Sequence, residues 1–281
     1  MSAKETISFQ GELGAYSHQA CREVYPEMEP LPCATFEDAI AAVKNGEAAL
    51  AMLPVENSLY GRVADIHRLL PESGLYIIAE HFVPVRIQVL GVPGAKLDDI
   101  KTAQSHTVLL GQCRKFLADR GVRAIVGADT AGSARAVAES GDKTTAALAS
   151  QLAGELNGLV TLAEDVQDAA HNTTRFLVMS PRKIEADPRG GPALTSFVFQ
   201  VRNVPAALYK AMGGFATNGV NMVKLESYML DGSFTATQFY ADVEGHTEDR
   251  SLQFAMEELG FFTSYLKILG TYPRSAARGQ R

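Results

Sequence analysis

The chain has no tryptophan, only three cysteines in 281 residues, and no long apolar run. Cys21, Cys33 and Cys113 are an odd number without a CxxC pair, which argues against a disulfide framework and fits free buried thiols in a reducing compartment. No stretch approaches the roughly 18 uncharged apolar residues of a membrane span. The start, MSAKETISFQ, lacks a basic segment followed by an apolar one. A cytoplasmic protein without a membrane partner is therefore expected. A basic excess is missing as well: the net charge is -6 and the pI is near 5.6, which leaves no electrostatic footprint for nucleic acid. The one basic cluster, the terminal SAARGQR, reads as a solvated tail.

Several catalytic signatures are absent too. The six histidines form no HExxH and no pair at ligand spacing with cysteine, so no metal is expected. GADTAGS (127–133) has the glycine spacing of a phosphate loop but no lysine to reach the phosphates, and reads as a capped helix start. No GxSxG elbow points to a serine hydrolase.

What is present is an ordinary soluble composition, 46% hydrophobic and 21% charged, at a length that suggests two units. From the start, ISFQG reads as a strand, AYSHQACREVY as a helix, PCAT as a short strand and FEDAIAAVKNG as a helix opened by Thr35. AALAMLPVEN follows as a buried strand, RVADIHRLL as a helix, and LYIIAEHFVPVRIQVLGV holds strands. Then come strand KTAQSH, helix TVLLGQCRKFLADRG, strand VRAIVG and two Ala-rich helices between Asp129 and Asn157. Such alternation predicts an α/β fold with a mainly parallel sheet. SPRKIEADPRGGPA mixes charge, Pro and Gly without apolar period and reads as a linker. Beyond it the order is βαββαβ, a ferredoxin-like unit with a hairpin at Asp231-Gly232.

Hydroxyl and amide clusters stand at the ends of predicted strands: GAYS, PVENS, AQSH and HNTTRF. In a parallel α/β sheet such loops gather at the carboxyl edge, where ligands bind. Three of them lead into predicted helix starts, which favour anions. With Arg175 close by, the predicted guest is a small carboxylate or phosphate. Each cluster alone is explained by capping; together they favour a ligand site.

FQGELGAYSHQA, PVENSLYG, AQSHTVLLGQC, DTAGSARAVAE and HNTTRFLV, in this order and at these separations, resemble prephenate dehydratase, and the βαββαβ tail resembles its ACT regulatory domain. The resemblance covers nearly the whole chain. It implies a two-lobed, periplasmic-binding-protein-like catalytic domain at 1–182, a linker at 183–193, an ACT domain at 194–275 and a tail at 276–281. One lobe would hold residues near 1–80 plus 160–182. The implied reaction converts prephenate to phenylpyruvate, water and carbon dioxide without a cofactor, in phenylalanine biosynthesis.

By the family pattern Thr174 is the catalytic hydroxyl. A free Thr is too weak an acid to protonate the leaving hydroxyl unaided, so it works through a relay or orients the group beside a better acid. Glu56 is the candidate acid if partial burial raises its pKa; the alternative is a cap on the following helix. Arg175 would hold a substrate carboxylate, or else pair with Asp168 or Glu164. Asn57, Ser58, Ser105 and Gln112 match positions that line the cleft as neutral donors, joined by Tyr16 and Ser17. Phe176 would wall the ring.

The resemblance also implies phenylalanine as effector, bound by the ACT domain between subunits of a homodimer or homotetramer. The loop Asn203, Pro205, Ala206, Ala207 and Leu208 and the pair Glu226 and Ser227 would form that site. Here Ala206 stands where the family has Gly, and Tyr228 and Met229 replace Arg and Pro, which puts feedback inhibition in question. Gly213-Gly214 would mark a kink or helix end. Arogenate dehydratase and a non-catalytic small-carboxylate sensor are the competing readings.

Overall fold

The computed structural model describes residues 5–202, 204–229 and 236–279. The chain opens with β1 (Thr6–Gln10), α1 (Tyr16–Val24), β2 (Glu29–Cys33), α2 (Phe36–Lys44) and β3 (Leu50–Asn57). A two-residue β4 (Gly61–Arg62), α3 (Ala64–Leu69) and β5 (Tyr76–Pro84) follow. Thr35 opens α2 through a capping box with Asp38, as its sequence requires. These strands form one sheet in the order β2-β1-β3-β11-β5, with β4 on β3 and β11 (Thr173–Ser180) inserted from much later in the chain.

A second sheet is built from the middle of the chain. Its elements are β6 (Gln88–Gly91), β7 (Thr102–Ser105), α4 (Thr107–Gln112), α5 (Arg114–Asp119), β8 (Arg123–Val126), α6 (Thr130–Ser140), β9 (Thr145–Ala149), α7 (Gln151–Leu156) and β10 (Val160–Ala163). The order is β10-β6-β9-β7-β8, parallel at β9-β7-β8 and antiparallel at β10-β6-β9. Three expectations are corrected here. The two Ala-rich helices expected between Asp129 and Asn157 are α6 and α7, but the strand β9 that TTAALA supplies between them was not expected. The single predicted helix TVLLGQCRKFLADRG breaks at Cys113 into α4 and α5. Residues 160–163 pair with β6, so they belong to the second sheet and not to the first lobe.

Residues 181–192 carry no regular element, and then the chain runs β12 (Ala193–Val201), α8 (Ala207–Thr217), β13 (Met222–Met229), β14 (Ala236–Glu244), α9 (Arg250–Phe262) and β15 (Thr263–Pro273). The four strands make an antiparallel sheet in the order β13-β14-β12-β15, the ferredoxin-like topology. Its core is Phe197, Phe199, Phe215, Phe239 and Leu259 with their neighbours. The predicted turn at Asp231-Gly232 lies outside the described residues. Gly213-Gly214 does not mark a helix end, since α8 runs through both. A Cβ on Gly214 would lie 2.7 Å from Glu258 Cβ, so this glycine lets α8 and α9 approach.

By compactness the chain divides into Met1–Ala48, Met52–Arg62 and Phe82–Phe176, and Ala49–Ala51, Val63–His81 and Leu177–Arg281. In the second unit, Lys267 Nζ donates to the Pro71 carbonyl at 2.6 Å, and Arg278 forms a two-pronged pair with Glu80 at 2.8 Å on each prong. The described part of the tail, Ala276–Gly279, is thus anchored through Arg278, while Ala276 and Ala277 remain exposed. No described helix is long and apolar enough to cross a membrane.

Candidate active site

β11 opens with Thr173, Thr174, Arg175 and Phe176, and successive side chains of a strand point to opposite faces. Thr174 and Phe176 share one face, and both line a cavity of about 240 Å³. Tyr16, Ser17, His106, Asp129 and Thr130 line the same cavity. Elements of both sheets of the first unit therefore meet here. Gly14 makes this closeness possible: at φ +98°, a Cβ on it would lie 2.8 Å from Ala153 Cα in α7. Its carbonyl also accepts from Ser150 Oγ at 2.6 Å.

Thr174 Oγ1 accepts a hydrogen bond from Asn57 Nδ2 at 3.1 Å. A hydroxyl that accepts from a neighbour still has its own proton to give. The same Asn57 amide donates to Asn172 Oδ1 at 2.7 Å, and Asn172 Nδ2 donates to Gln112 Oε1 at 2.7 Å. Asn57 Oδ1 in turn accepts from the backbone of Leu59 and Tyr60 at 2.9 and 3.1 Å. This amide chain fixes Asn57 and so aims Thr174. Asn172 was missed as a site residue, although it sits in the motif HNTTRF; only its 2% exposure and its two partners reveal its role.

The other expected residues have different tasks. Arg175 faces away from Thr174, is 2% exposed, and pairs with Glu56 at 2.8 Å. It does not pair with Asp168 or Glu164, and the expected clamp on a substrate carboxylate is an internal ion pair. Glu56 caps no helix, since α3 begins after Val63. A guanidinium at this distance favours the ionised carboxylate, which opposes an acid role for Glu56. Ser105 is fully buried and donates to the Leu148 carbonyl at 2.6 Å, so its proton is committed within the second sheet. Ser58 Oγ donates to the His171 carbonyl at 2.9 Å and accepts from Thr173 N at 3.0 Å, tying the motif loop down.

Tyr16 gives its hydroxyl proton to the Arg86 carbonyl at 2.8 Å. Burial, then the charges of Cys113 and Asp165, push its pKa up, so it remains a neutral donor. Cys113 is buried and its thiol is pushed up to about 12 by burial and by Asp168, which leaves it inert. Cys33, expected to be buried, is only partly so. His106 caps α4, with Nδ1 accepting from Val108 N at 3.3 Å. That bond places the proton of the neutral ring on Nε2. His106 and Asp129 were legible only as parts of AQSH and DTAGS, not as site residues.

In the second unit, Ala206 has φ +62°, a left-handed conformation that suits Gly and costs a Cβ-bearing residue about 1–2 kcal/mol. Pro205 precedes it, and Ala207 and Leu208 begin α8. Glu226 pairs with Lys224 at 3.2 Å, Ser227 is exposed on β13, and Tyr228 shares a 2.7 Å hydrogen bond with His67. Asn203 lies outside the described residues.

The comparisons agree with this geometry. Residues 7–184 match the family model described as prephenate dehydratase. The chain is 52% identical, over 99% of both sequences, to a bifunctional N-acyl-homoserine lactone acylase/prephenate dehydratase of Komagataeibacter europaeus. It is 38% identical to the chloroplastic arogenate dehydratase/prephenate dehydratase 1 of Arabidopsis thaliana, over 98% of this chain and 74% of that one. Among solved structures, a prephenate dehydratase of Arthrobacter aurescens in complex with L-Phe superposes with a TM-score of 0.88 at 31% identity, covering 98% of this chain and 91% of that one. With the motif residues converging on one cavity and a family match over most of the catalytic span, this chain is a hydro-lyase that belongs to the prephenate dehydratase family.

Proposed function

We propose that this chain converts prephenate to phenylpyruvate, water and carbon dioxide without a cofactor, with arogenate as the close alternative substrate. One observation carries the reading: Thr174 accepts from Asn57 and lines the cavity, so its own proton is available to a ligand there. In the reaction the ring hydroxyl departs with a proton as water, and the ring carboxylate departs as carbon dioxide. The electron pair of the broken carbon–carbon bond enters the ring, which becomes aromatic. Thr174 orients the leaving hydroxyl and relays a proton from solvent to it, and the Nε2–H of His106, which lines the same cavity, is a second hydrogen-bond donor. Glu56 and Arg175 act behind the strand, holding β3 and β11 in register. Positioning supplies several kcal/mol, and a placed acid roughly 10²- to 10⁴-fold in rate.

The rest of the reading is proposed on the same basis. Residues 1–182 form the catalytic domain and 194–275 an ACT domain that takes phenylalanine as effector, a reading supported by the ferredoxin-like topology and by the relative crystallised with L-Phe. A homo-oligomer in the cytoplasm completes it, with exposed Tyr209, Met229 and Phe261 on the C-terminal module as candidate contacts. The 52%-identical relative makes N-acyl-homoserine lactone cleavage a second activity to assay.

The test is turnover of prephenate and of arogenate by the purified protein, with and without phenylalanine, repeated with Thr174→Ala. We expect prephenate turnover that phenylalanine suppresses, and a kcat lowered about 10²- to 10⁴-fold in the variant with its circular dichroism unchanged. A variant that keeps most of its turnover removes Thr174 from the chemistry.

A further inference from the structure

We propose that Asp129 is the specificity-determining residue of the cavity, and that it lets the site accept the substrate form bearing an α-ammonium group. The inference rests on the dehydratase reading and names the substrate class for it. Asp129 caps α6, with Oδ1 accepting from Gly132 N at 2.7 Å. Gly132 leaves room for the carboxylate to fold over the helix start, because a Cβ there would lie 2.7 Å from Oδ2. Among the described residues Oδ2 takes no hydrogen bond, and Asp129 belongs to no ion pair. Arg135, one turn further on, is engaged by both oxygens of Glu12, at 2.9 and 3.2 Å.

Among the described residues that line the cavity, Asp129 is also the only carboxylate. Glu56, the other acidic residue near the motif, is held by Arg175 behind β11. The lining therefore combines hydrogen-bond donors, Ser17 at the uncapped start of α1 and His106, with the carboxylate of Asp129. Prephenate and arogenate share the ring, the ring hydroxyl and two carboxylates, and they differ at the side-chain α-carbon, which carries a keto oxygen in one and a hydrogen and an ammonium in the other. A carboxylate attracts the ammonium and repels the lone pairs of the keto oxygen. At about 240 Å³ the cavity lies below the usual range for drug-sized ligands, which suits a single-ring substrate in contact with every wall.

Asp129→Asn tests this, since Asn caps a helix as well as Asp does and only the charge is lost. The measurement is kcat/KM on each substrate for the wild type and the variant. We expect arogenate kcat/KM to fall about 10- to 100-fold through KM, the effect of losing one hydrogen bond to a charged group, while prephenate kcat/KM rises. Asp129→Ser, which also retains a capping oxygen, is expected to move the ratio the same way. A wild type that accepts prephenate but no arogenate overturns the inference alone, as does a variant in which both substrates lose activity by the same factor. A wild type that turns over neither substrate overturns the dehydratase reading itself, and the inference with it.

Discussion

His18 shows how one buried side chain couples the loop before the cavity to pH. Its Nδ1 accepts from Gly14 N at 2.9 Å, its ring stacks on Phe9 at 5.7 Å, and it is 4% exposed. Burial, and secondarily the charge of Arg22, lower its pKa. The unfolded chain therefore takes up a proton more readily than the folded one. The stability that neutral His18 contributes is fully present above about pH 6.5, the unperturbed value, and is lost as the pH falls from there toward the lower folded value. We expect the urea midpoint of the wild type to drop between pH 7.5 and pH 5, and His18→Gln to show a smaller drop. Equal drops in both proteins would assign the pH dependence elsewhere. At this scale the motif was legible in the sequence, but the partners were not. Arg175 stood out as a carboxylate holder, yet strand alternation turns it onto Glu56. Ser105 stood out as a donor, yet its proton goes to Leu148. The type and spacing of a residue name a site, while the face it occupies decides its task.

At the scale of elements, apolar period and capping residues located most strands and helices. The failures have identifiable causes. TTAALA is rich in a strong helix former and was not identified as a strand, but its position between β6 and β7 makes it one, so tertiary pairing overrides propensity. Gly214 resembled a helix breaker and is instead a contact between α8 and α9, because glycine signals close approach as readily as an end. Gly270 in β15 carries the same logic furthest. A Cβ on it would collide with the Ile77 carbonyl of β5, and backbone cannot swing aside as a flexible side chain does. Gly270→Ala is therefore expected to destabilise the C-terminal unit by about 1–3 kcal/mol or more, the range for overpacking, read as a lowered midpoint in calorimetry. A variant with an unchanged midpoint would mean that β15 and β5 separate freely.

Over the whole molecule, the end of the chain is a structural part of its second unit. The side chain of Glu80 is 0% exposed and that of Arg278 is 13% exposed, while Ser275 N also donates to Glu80 at 3.0 Å. Arg278 lies 3.7 Å from Asp242, a fully buried carboxylate that also accepts from Ser196. Two buried carboxylates thus share one guanidinium supplied by the last turn of the chain. Composition could not show this, because a basic terminal heptapeptide looks the same whether its arginine is solvated or enclosed; the partner lies 198 residues away in sequence. Removing one member of a buried ion pair costs about 3–5 kcal/mol, since the remaining charge loses its compensation without regaining water. We expect Arg278→Ala, and equally a chain ending at Ser275, to lower the thermal midpoint of the second unit. Arg278→Lys should recover part of the loss, restoring the charge but not the planar fork that grips both Glu80 oxygens. A solvated tail would make all three changes neutral. A neutral result in calorimetry would therefore return the tail to its sequence-based reading and leave Glu80 and Asp242 to be stabilised by their other neighbours.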